Sequence, residues 1–235
     1  MARLARLSLA GYPHHIIQRG HNRQAVFVDE ADYAAYLRLL HDAARRHRVA
    51  IHAWQLLPDQ IHVIATPEQA DGVPKMMQDV GRAYVRGFNN RHLRSGTLWE
   101  GRYRCTVLEP DVWLLPSMVC VDWLAVQAGL VEEPQQWLWS TCAAYLGLVP
   151  TNGITIPAQF WRLGNTPFAR ETAWAQQLHA PQALAVQNTL LEHALHGWVQ
   201  GSPKFLHDVA EQVGRRIIAG KAGRPKKLLS NSVLD

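Results

Sequence analysis

The sequence predicts an α+β protein with a ferredoxin-like antiparallel sheet and helices on one face. Short apolar runs of strand length alternate with longer segments of helical periodicity, in the order strand, helix, strand, strand, helix, strand, helix. A tight turn at Pro58-Asp59 joins the two middle strands. No run of about 18 apolar residues occurs, so we predict no membrane span.

The first four elements follow from local patterns. Residues 12–18 predict the first strand, which ends at Arg19-Gly20 before a polar loop. Residues 29–47 predict a helix, because apolar side chains recur at helical spacing, with acids in the first turn and basic residues in the last. The apolar runs at residues 49–57 and 61–66 predict the next two strands.

The next three elements complete the sheet and add a third helix. Residues 73–91 carry a single apolar stripe, which is typical of an amphipathic helix. Residues 98–108 predict a segment that is extended in part. Residues 110–129 predict the third helix, which Gly129 ends, and Pro116 lies close enough to its start to be tolerated with a bend.

Three parts of the chain differ in character, and we interpret them as separate units. Residues 1–148 hold the predicted sheet and a short aromatic-rich element at 137–146. Residues 149–214 predict a helical extension after a loop-like boundary. Residues 215–235 are basic and then polar, and we expect a mobile tail there.

The composition indicates a reduced, cytoplasmic protein with a polyanionic partner. The three cysteines form neither a disulfide framework nor a zinc-finger spacing, and the first residues lack the pattern of a secretory signal. The net charge is +5, but six arginines lie between residues 82 and 104 against one acid, and six basic residues without an acid lie between 215 and 227. Guanidinium groups match the geometry of phosphate, so these clusters favour contacts with a phosphate backbone.

A polar pair at the start of the third strand raises a question about metal binding. Gln60 and His62 are two residues apart, so their side chains point to the same face of the strand. Two histidines at this spacing would be typical of a metal site, but the first of the two positions holds glutamine.

Four stretches of the chain resemble one known family, the REP-associated tyrosine transposases of the HUH superfamily. They are GYPHHIIQRGHNRQAVF, HAWQLLPDQIHVIATP, MMQDVGRAYVRGFNNRHLRSGTLWEGRY and VQAGLVEEPQQWLWST, and they span most of residues 8–146. The resemblance implies the ferredoxin-like fold. It also implies a partner DNA, a repeated palindrome recognised as a hairpin or single strand, and DNA transposition as the process in a bacterial, nucleoid-associated protein.

The resemblance further implies a cleavage chemistry. In the family, two histidines written His-hydrophobic-His hold a divalent metal that polarises the scissile phosphate. A tyrosine on the last helix attacks that phosphate and forms a covalent link to single-stranded DNA. A polar residue one helical turn later completes the metal site.

This chain departs from the family at three catalytic positions. The family's histidine pair falls on Gln60 and His62, its tyrosine on Cys120, and its later polar residue on Leu124. Gln60 is a weaker ligand than histidine for borderline metals, Leu124 offers no ligand, and Cys120 lies in an apolar stretch. We therefore predict that strand cleavage is lost, and we expect no cofactor; Mg²⁺ or Mn²⁺ would be required only if catalysis is retained.

The DNA-binding residues that we predict are arginines, asparagines and one aromatic residue of the family-like region, together with a basic motif in the tail. They are Arg19, Asn22, Arg23, Arg82, Arg86, Asn89, Arg91, Arg94, Trp99, Arg102, Arg104, Arg224, Lys226 and Lys227. Trp99 is a candidate for stacking on unpaired bases or for the core, and the motif at residues 223–227 resembles an arm that lies in an AT-rich minor groove.

Two other functions stay open on sequence grounds. One is an active nuclease that uses Cys120, Tyr84 or Tyr103 as nucleophile, with Gln60 and His62 on the metal. The other is a protein-interaction module in which the aromatic segment at residues 137–145 docks a partner. The sequence does not determine the oligomeric state, the DNA target or the role in the host.

Overall fold

The computed structural model describes residues 6–180, 187–214 and 216–218. Its centre is a four-stranded antiparallel sheet of strands β1 (His14–Arg19), β2 (Val49–Leu57), β3 (Gln60–Pro67) and β4 (Arg104–Val107). The strand order is β2-β3-β1-β4, with β1 between β3 and β4. The predicted ferredoxin-like α+β fold is confirmed.

Helices α1 (Glu30–Arg46) and α2 (Gly72–Arg91) pack on one face of the sheet. The Asp29 side chain caps α1 by accepting a hydrogen bond from the backbone N–H of Asp32. The apolar stripes of both helices meet alternate strand residues such as Ile16 and Val63, which are fully buried. This face therefore forms the first hydrophobic core.

Helix α3 (Pro110–Asp122) packs on the opposite face of the sheet, against strand residues such as Ala53 and Ile64. The prediction that the helices lie on one face therefore holds for α1 and α2 but not for α3, because alternate strand residues on both faces are apolar. The segment predicted as one helix over 110–129 is divided at Trp123, beyond which α4 (Leu124–Gln127) begins. Gly129 follows α4 with a φ of +68°, a left-handed conformation that ends helices and suits glycine.

The C-terminal extension covers the outer side of α3. After α5 (Cys142–Tyr145) it comprises α6 (Ala158–Trp161), α7 (Pro167–Leu178), α8 (Gln187–His196) and α9 (Pro203–Val213). Phe160, Trp174 and Leu178 share one core with α3 and the sheet. Every residue from 117 to 122 is buried, so the last two turns of α3 are enclosed on all sides.

Both edges of the sheet are covered by later segments of the chain. At β2, the backbone N–H of Leu56 donates to the carbonyl of Trp139, and that of Thr141 donates to the carbonyl of Trp54. At β4, the N–H of Gln200 donates to the carbonyl of Val107. The backbone N–H and C=O groups that an edge strand leaves unpaired are thus partly hydrogen-bonded to other segments of the chain. None of the helices in the described part of the chain has the length and hydropathy needed to cross a membrane.

Candidate nucleic-acid interface

Gln60 lies at the start of β3, where two arginines already occupy its amide oxygen. The Nε of Arg19 donates to Gln60 Oε1 at 3.1 Å, and the Nη1 of Arg23 donates to the same atom at 3.4 Å. Arg23 also forms an ion pair with Asp59 at 3.1 Å. The two guanidinium groups therefore bring positive charge to the position where the family resemblance implies a metal ligand.

His62 lies two residues further along β3, enclosed beneath α3. It is 1% exposed, and its Nδ1 is 3.1 Å from the Nε2 of His15 on β1. Burial lowers the pKa of His15 to about 4. The pKa of His62 lies well below its usual value, first because of burial and then because of His15 and the nearby Arg19 and Arg23. Both rings are therefore neutral near pH 7.

The residues at these positions do not fit a divalent metal. Gln60 Oε1 accepts hydrogen bonds from the guanidinium groups of Arg19 and Arg23. Both positive charges would repel a metal ion bound at this oxygen. The Nδ1 of His62 is engaged by His15, which leaves Nε2, buried without a hydrogen-bond partner, as the one ring nitrogen of His62 that could bind a metal. Over residues 6–180, 187–214 and 216–218, no cluster of three or more histidine, cysteine, aspartate or glutamate side chains is arranged to hold a metal.

The two positions that the family resemblance assigns to the tyrosine and to the later polar residue lie inside the protein. Cys120 is 2% exposed on α3, and burial, followed by the neighbouring Asp122, raises the pKa of its thiol to about 12. Leu124 belongs to the core that α3 shares with the C-terminal extension. Neither side chain is placed to meet a phosphate in solution.

The two tyrosines considered as alternative nucleophiles are also core residues. The hydroxyl of Tyr84 donates to the carbonyl of Val26, and burial raises the pKa of Tyr84. Tyr103 is 8% exposed, its ring lies 4.1 Å below the guanidinium of Arg6, and burial raises its pKa as well. Activating either phenol would require a local opening of the core.

The exposed side of α2 carries two arginines that the fold does not use. Arg82 and Arg86 are exposed, and the described residues include no ion-pair or hydrogen-bond partner for their side chains. Asn89 lies one turn further, and its Nδ2 donates to the carbonyl of Gly96. The two free guanidinium groups form an exposed basic strip on α2.

Two of the predicted DNA-binding arginines hold the protein together instead. Arg91 forms ion pairs with Asp29 and with the buried Asp32, and these contacts raise the pKa of Arg91. Arg94 donates to Gln24 at 3.1 Å. These side chains connect the end of α2 to the start of α1 and to the loop after β1. Both arginines are therefore engaged within the fold.

The structure corrects the stacking role considered for Trp99. Trp99 is 6% exposed, and its ring lies against those of Tyr36 and Tyr84 in the first core. A bridge between Gly20 and Trp99 places the tryptophan beside the end of β1. The aromatic side chain is therefore packed inside the first core and does not reach an unpaired base.

The loop after β1 presents polar groups at the surface. Asn22 and Arg23 are exposed and both have positive φ angles, 51° and 58°. Gly20, which starts this loop, has no room for a Cβ, since that atom would lie 2.2 Å from the carbonyl oxygen of Gln24. The tight loop holds Arg23 beside Arg19 at one end of the sheet.

Arg102 and Arg104 lie on the far side of Arg19, where the chain enters β4. Both are exposed, and Arg104 Nη1 donates to the carbonyl of Leu195 at the end of α8. With Arg19, they line one pocket. The predicted residues Arg224, Lys226 and Lys227 lie outside the described part of the chain.

The aromatic segment proposed as a docking surface is largely built into the fold. The indole of Trp139 stacks on Tyr33 with ring centroids 4.7 Å apart, and Trp137 Nε1 donates to the carbonyl of Leu56. Tyr145 is 1% exposed, and within the segment Leu138 alone projects, at 79%.

Two functional features were not anticipated from the sequence. His15, the partner of His62, belongs to the histidine doublet of the first strand, which was a visible signal. His196 and Trp198, whose rings stack beside the arginine pocket, had no local signal, because they lie about ninety residues along the chain from Arg104.

Comparisons with known proteins find a similar family and a similar fold. Residues 9–111 match the family described as transposase, IS200 like. No curated protein matches the chain. A solved structure of a REP-associated tyrosine transposase bound to a REP hairpin is 18% identical, covers 68% of this chain and 93% of its own, and has a TM-score of 0.52. A candidate transposase from Deinococcus radiodurans is 23% identical over 45% of this chain and 81% of its own, and its TM-score of 0.34 is too low to compare the folds.

Proposed function

We propose that this chain, whose residues 9–111 match the IS200-like transposase family, is a DNA-binding protein that no longer cleaves DNA. Its target is a palindromic repeat, bound as a hairpin or a single strand. The likeness in fold to a transposase bound to a REP hairpin supports this choice of target. Binding to DNA would place the protein at the nucleoid in the cytoplasm.

The burial of α3 is the observation that carries the loss of cleavage. A nucleophile must reach the scissile phosphate, but the family's tyrosine position holds Cys120, with 2% exposure and a raised pKa. Leu124, one turn later, is packed in the core, and Gln60 is bonded to two arginines. We therefore infer that the site lacks both an accessible nucleophile and the ligands for an electrophilic metal ion.

The exposed arginines support retained DNA binding. Arg82 and Arg86 on α2, and Arg102 before β4, project their charges without a counter-ion among the described residues. Unpaired guanidinium groups on a surface are suited to phosphate contacts, which supply affinity and make it dependent on salt.

One pair of gels tests both halves of the proposal. Purified protein is incubated with labelled hairpins and single strands from the palindromes that flank its own gene, with Mg²⁺ or Mn²⁺. We expect a shifted band on the native gel, but neither cleavage nor a covalent adduct on the denaturing gel. An adduct that disappears in Cys120→Ala would overturn the loss of cleavage and establish a rewired nucleophile.

Matched charge variants test the DNA-binding surface. Arg82→Gln and Arg86→Gln, each made alone, should weaken hairpin binding and reduce the dependence of log K on log salt by about 0.9 for each phosphate that is no longer neutralised. Arg38→Gln, on the exposed side of α1, removes the same type of charge from another surface and serves as the control. Equal weakening by Arg38→Gln would mean that affinity follows net charge rather than the α2 strip.

A further inference from the structure

A pocket of about 270 Å³ lies between the end of β1, the loop before β4 and the end of α8. The sheet supplies one wall and the C-terminal extension supplies the other. The residues that matter here are Arg19, Glu100, Arg102, Arg104, Leu195 and His196. The pocket is therefore assembled only when the extension is folded against the sheet.

The pocket holds more positive charge than the protein neutralises. Three arginines and one glutamate line it, and Glu100 forms no salt bridge within the described residues. Arg102 has no hydrogen-bond partner there, and the side chain of Arg104 donates to a neutral carbonyl at 3.1 Å. The pKa of Arg19 is lowered, first by burial and then by Arg23, with Arg104 adding to the effect. Like charges held this close favour a bound anion.

A flat aromatic pair stands at the rim of this pocket. The rings of His196 and Trp198 are stacked, with centroids 4.4 Å apart and an interplanar angle of 13°. The Nδ1 of His196 donates to the carbonyl of Glu192, which fixes the ring. His196 is exposed and Trp198 is half-buried, so the pair has a face open to solvent. A stacked pair of this kind suits a planar base.

We propose that this pocket binds one phosphodiester group of an unpaired DNA segment and that the adjoining base stacks on the His196–Trp198 pair. The inference rests on the proposed DNA-binding function. Guanidinium forks match the phosphate oxygens, and a volume near the lower limit of small-ligand sites, about 300 Å³, has room for about one nucleotide. The C-terminal extension thereby contributes to recognition as well as covering α3.

The phosphate contact is tested with the single-stranded tetranucleotide d(TTTT) by fluorescence anisotropy. Arg102→Gln and Arg104→Gln should each raise its Kd by about tenfold, as expected when a hydrogen bond to a charged group is removed. Each should also reduce the salt slope by about 0.7. Arg38→Gln removes the same charge outside the pocket and should leave the Kd unchanged within about twofold. An equal weakening in Arg38→Gln overturns the proposal.

The stacking contact is tested by substitution and by crosslinking. Trp198→Ala should raise the Kd of d(TTTT) by about fivefold or more, while Trp161→Ala, which removes a 53% exposed indole elsewhere, should not. The melting temperature of each variant checks that it is folded. A tetranucleotide with 5-iodouracil should crosslink within residues 195–198, and crosslinks confined to other segments overturn the assignment.

Two further measurements separate the pocket from the proposed function and from free phosphate. Inorganic phosphate, against chloride at equal ionic strength, should displace d(TTTT), and failure to compete overturns a phosphate site. Binding of the flanking hairpins is measured in parallel. Loss of hairpin binding with retention of the arginine-dependent d(TTTT) site refutes the proposed function alone, whereas retained hairpin binding together with d(TTTT) binding that Arg102→Gln and Arg104→Gln leave unchanged refutes the pocket alone.

Discussion

Trp174 is the side chain whose removal should open the core around α3. It lies on α7 and is fully buried, with its ring 5.3 Å from that of Tyr145 and 5.8 Å from that of Phe160. Replacing a buried tryptophan by alanine costs about 3–5 kcal/mol. At about 2–4 °C per kcal/mol for a chain of this size, Trp174→Ala should lower the melting temperature by about 6–20 °C.

The assay combines thermal unfolding with the labelling rate of Cys120. In the native protein Cys120 should react slowly with a thiol reagent, because it is 2% exposed. Trp174→Ala should raise the labelling rate of the Cys120 peptide, measured by mass spectrometry, well below the melting temperature. Trp161→Ala is the matched control: this indole is 53% exposed and stacks against Arg170, so its removal should cost less than about 1 kcal/mol.

Two results would contradict the enclosure of α3 by the C-terminal extension. If Trp174→Ala and Trp161→Ala shift the melting temperature equally, the extension does not contribute to the core of α3. If Trp174→Ala melts early but Cys120 stays protected, the extension stabilises the protein without enclosing the position of the family's nucleophile.

Three further predictions follow from buried groups and tight spaces. Burial lowers the pKa values of His14 and His15 to about 4, whereas both titrate near 6.5 when unfolded, so the free energy of unfolding should fall as pH drops from about 6.5 to 4. Denaturant titrations at several pH values give the slope of the free energy of unfolding against pH. In His15→Gln this slope should correspond to about one bound proton fewer than in the parent protein. Gly20→Ala should cost more than about 1 kcal/mol and weaken hairpin binding, measured by melting and anisotropy, because its Cβ would meet the carbonyl of Gln24. Cys120→Tyr should cost about 1–3 kcal/mol by overpacking and yield no adduct on a denaturing gel.

Each of these has a contrary outcome. A flat stability profile between pH 6.5 and 4 would contradict the neutral histidines. A Gly20→Ala variant as stable as the parent protein would show that the loop after β1 can move to make room for the Cβ. Stable folding of Cys120→Tyr together with a covalent adduct would show that only the nucleophile was missing.

Local sequence pattern was sufficient for the elements and for the fold class. Strand length, helical periodicity and the acids at the start of α1 are read from neighbouring residues, and the sheet and its two covering helices lie where these signals predict them. The break between α3 and α4 at Trp123 was not predicted, because no proline or glycine marks it.

Neighbouring residues alone were enough to predict the order of elements and the basic clusters, and the residues at positions 60, 120 and 124 are read directly from the chain as Gln60, Cys120 and Leu124. The tertiary fold sets which arginines are free, since Arg91 is paired with acids about sixty residues away and Arg82 is not paired among the described residues. It also decided that Trp99 is a core residue and that the extension encloses α3 and completes the arginine pocket. The physical reason is that burial and ion pairing depend on which segments meet in space, whereas periodicity reports only which face of a segment is apolar.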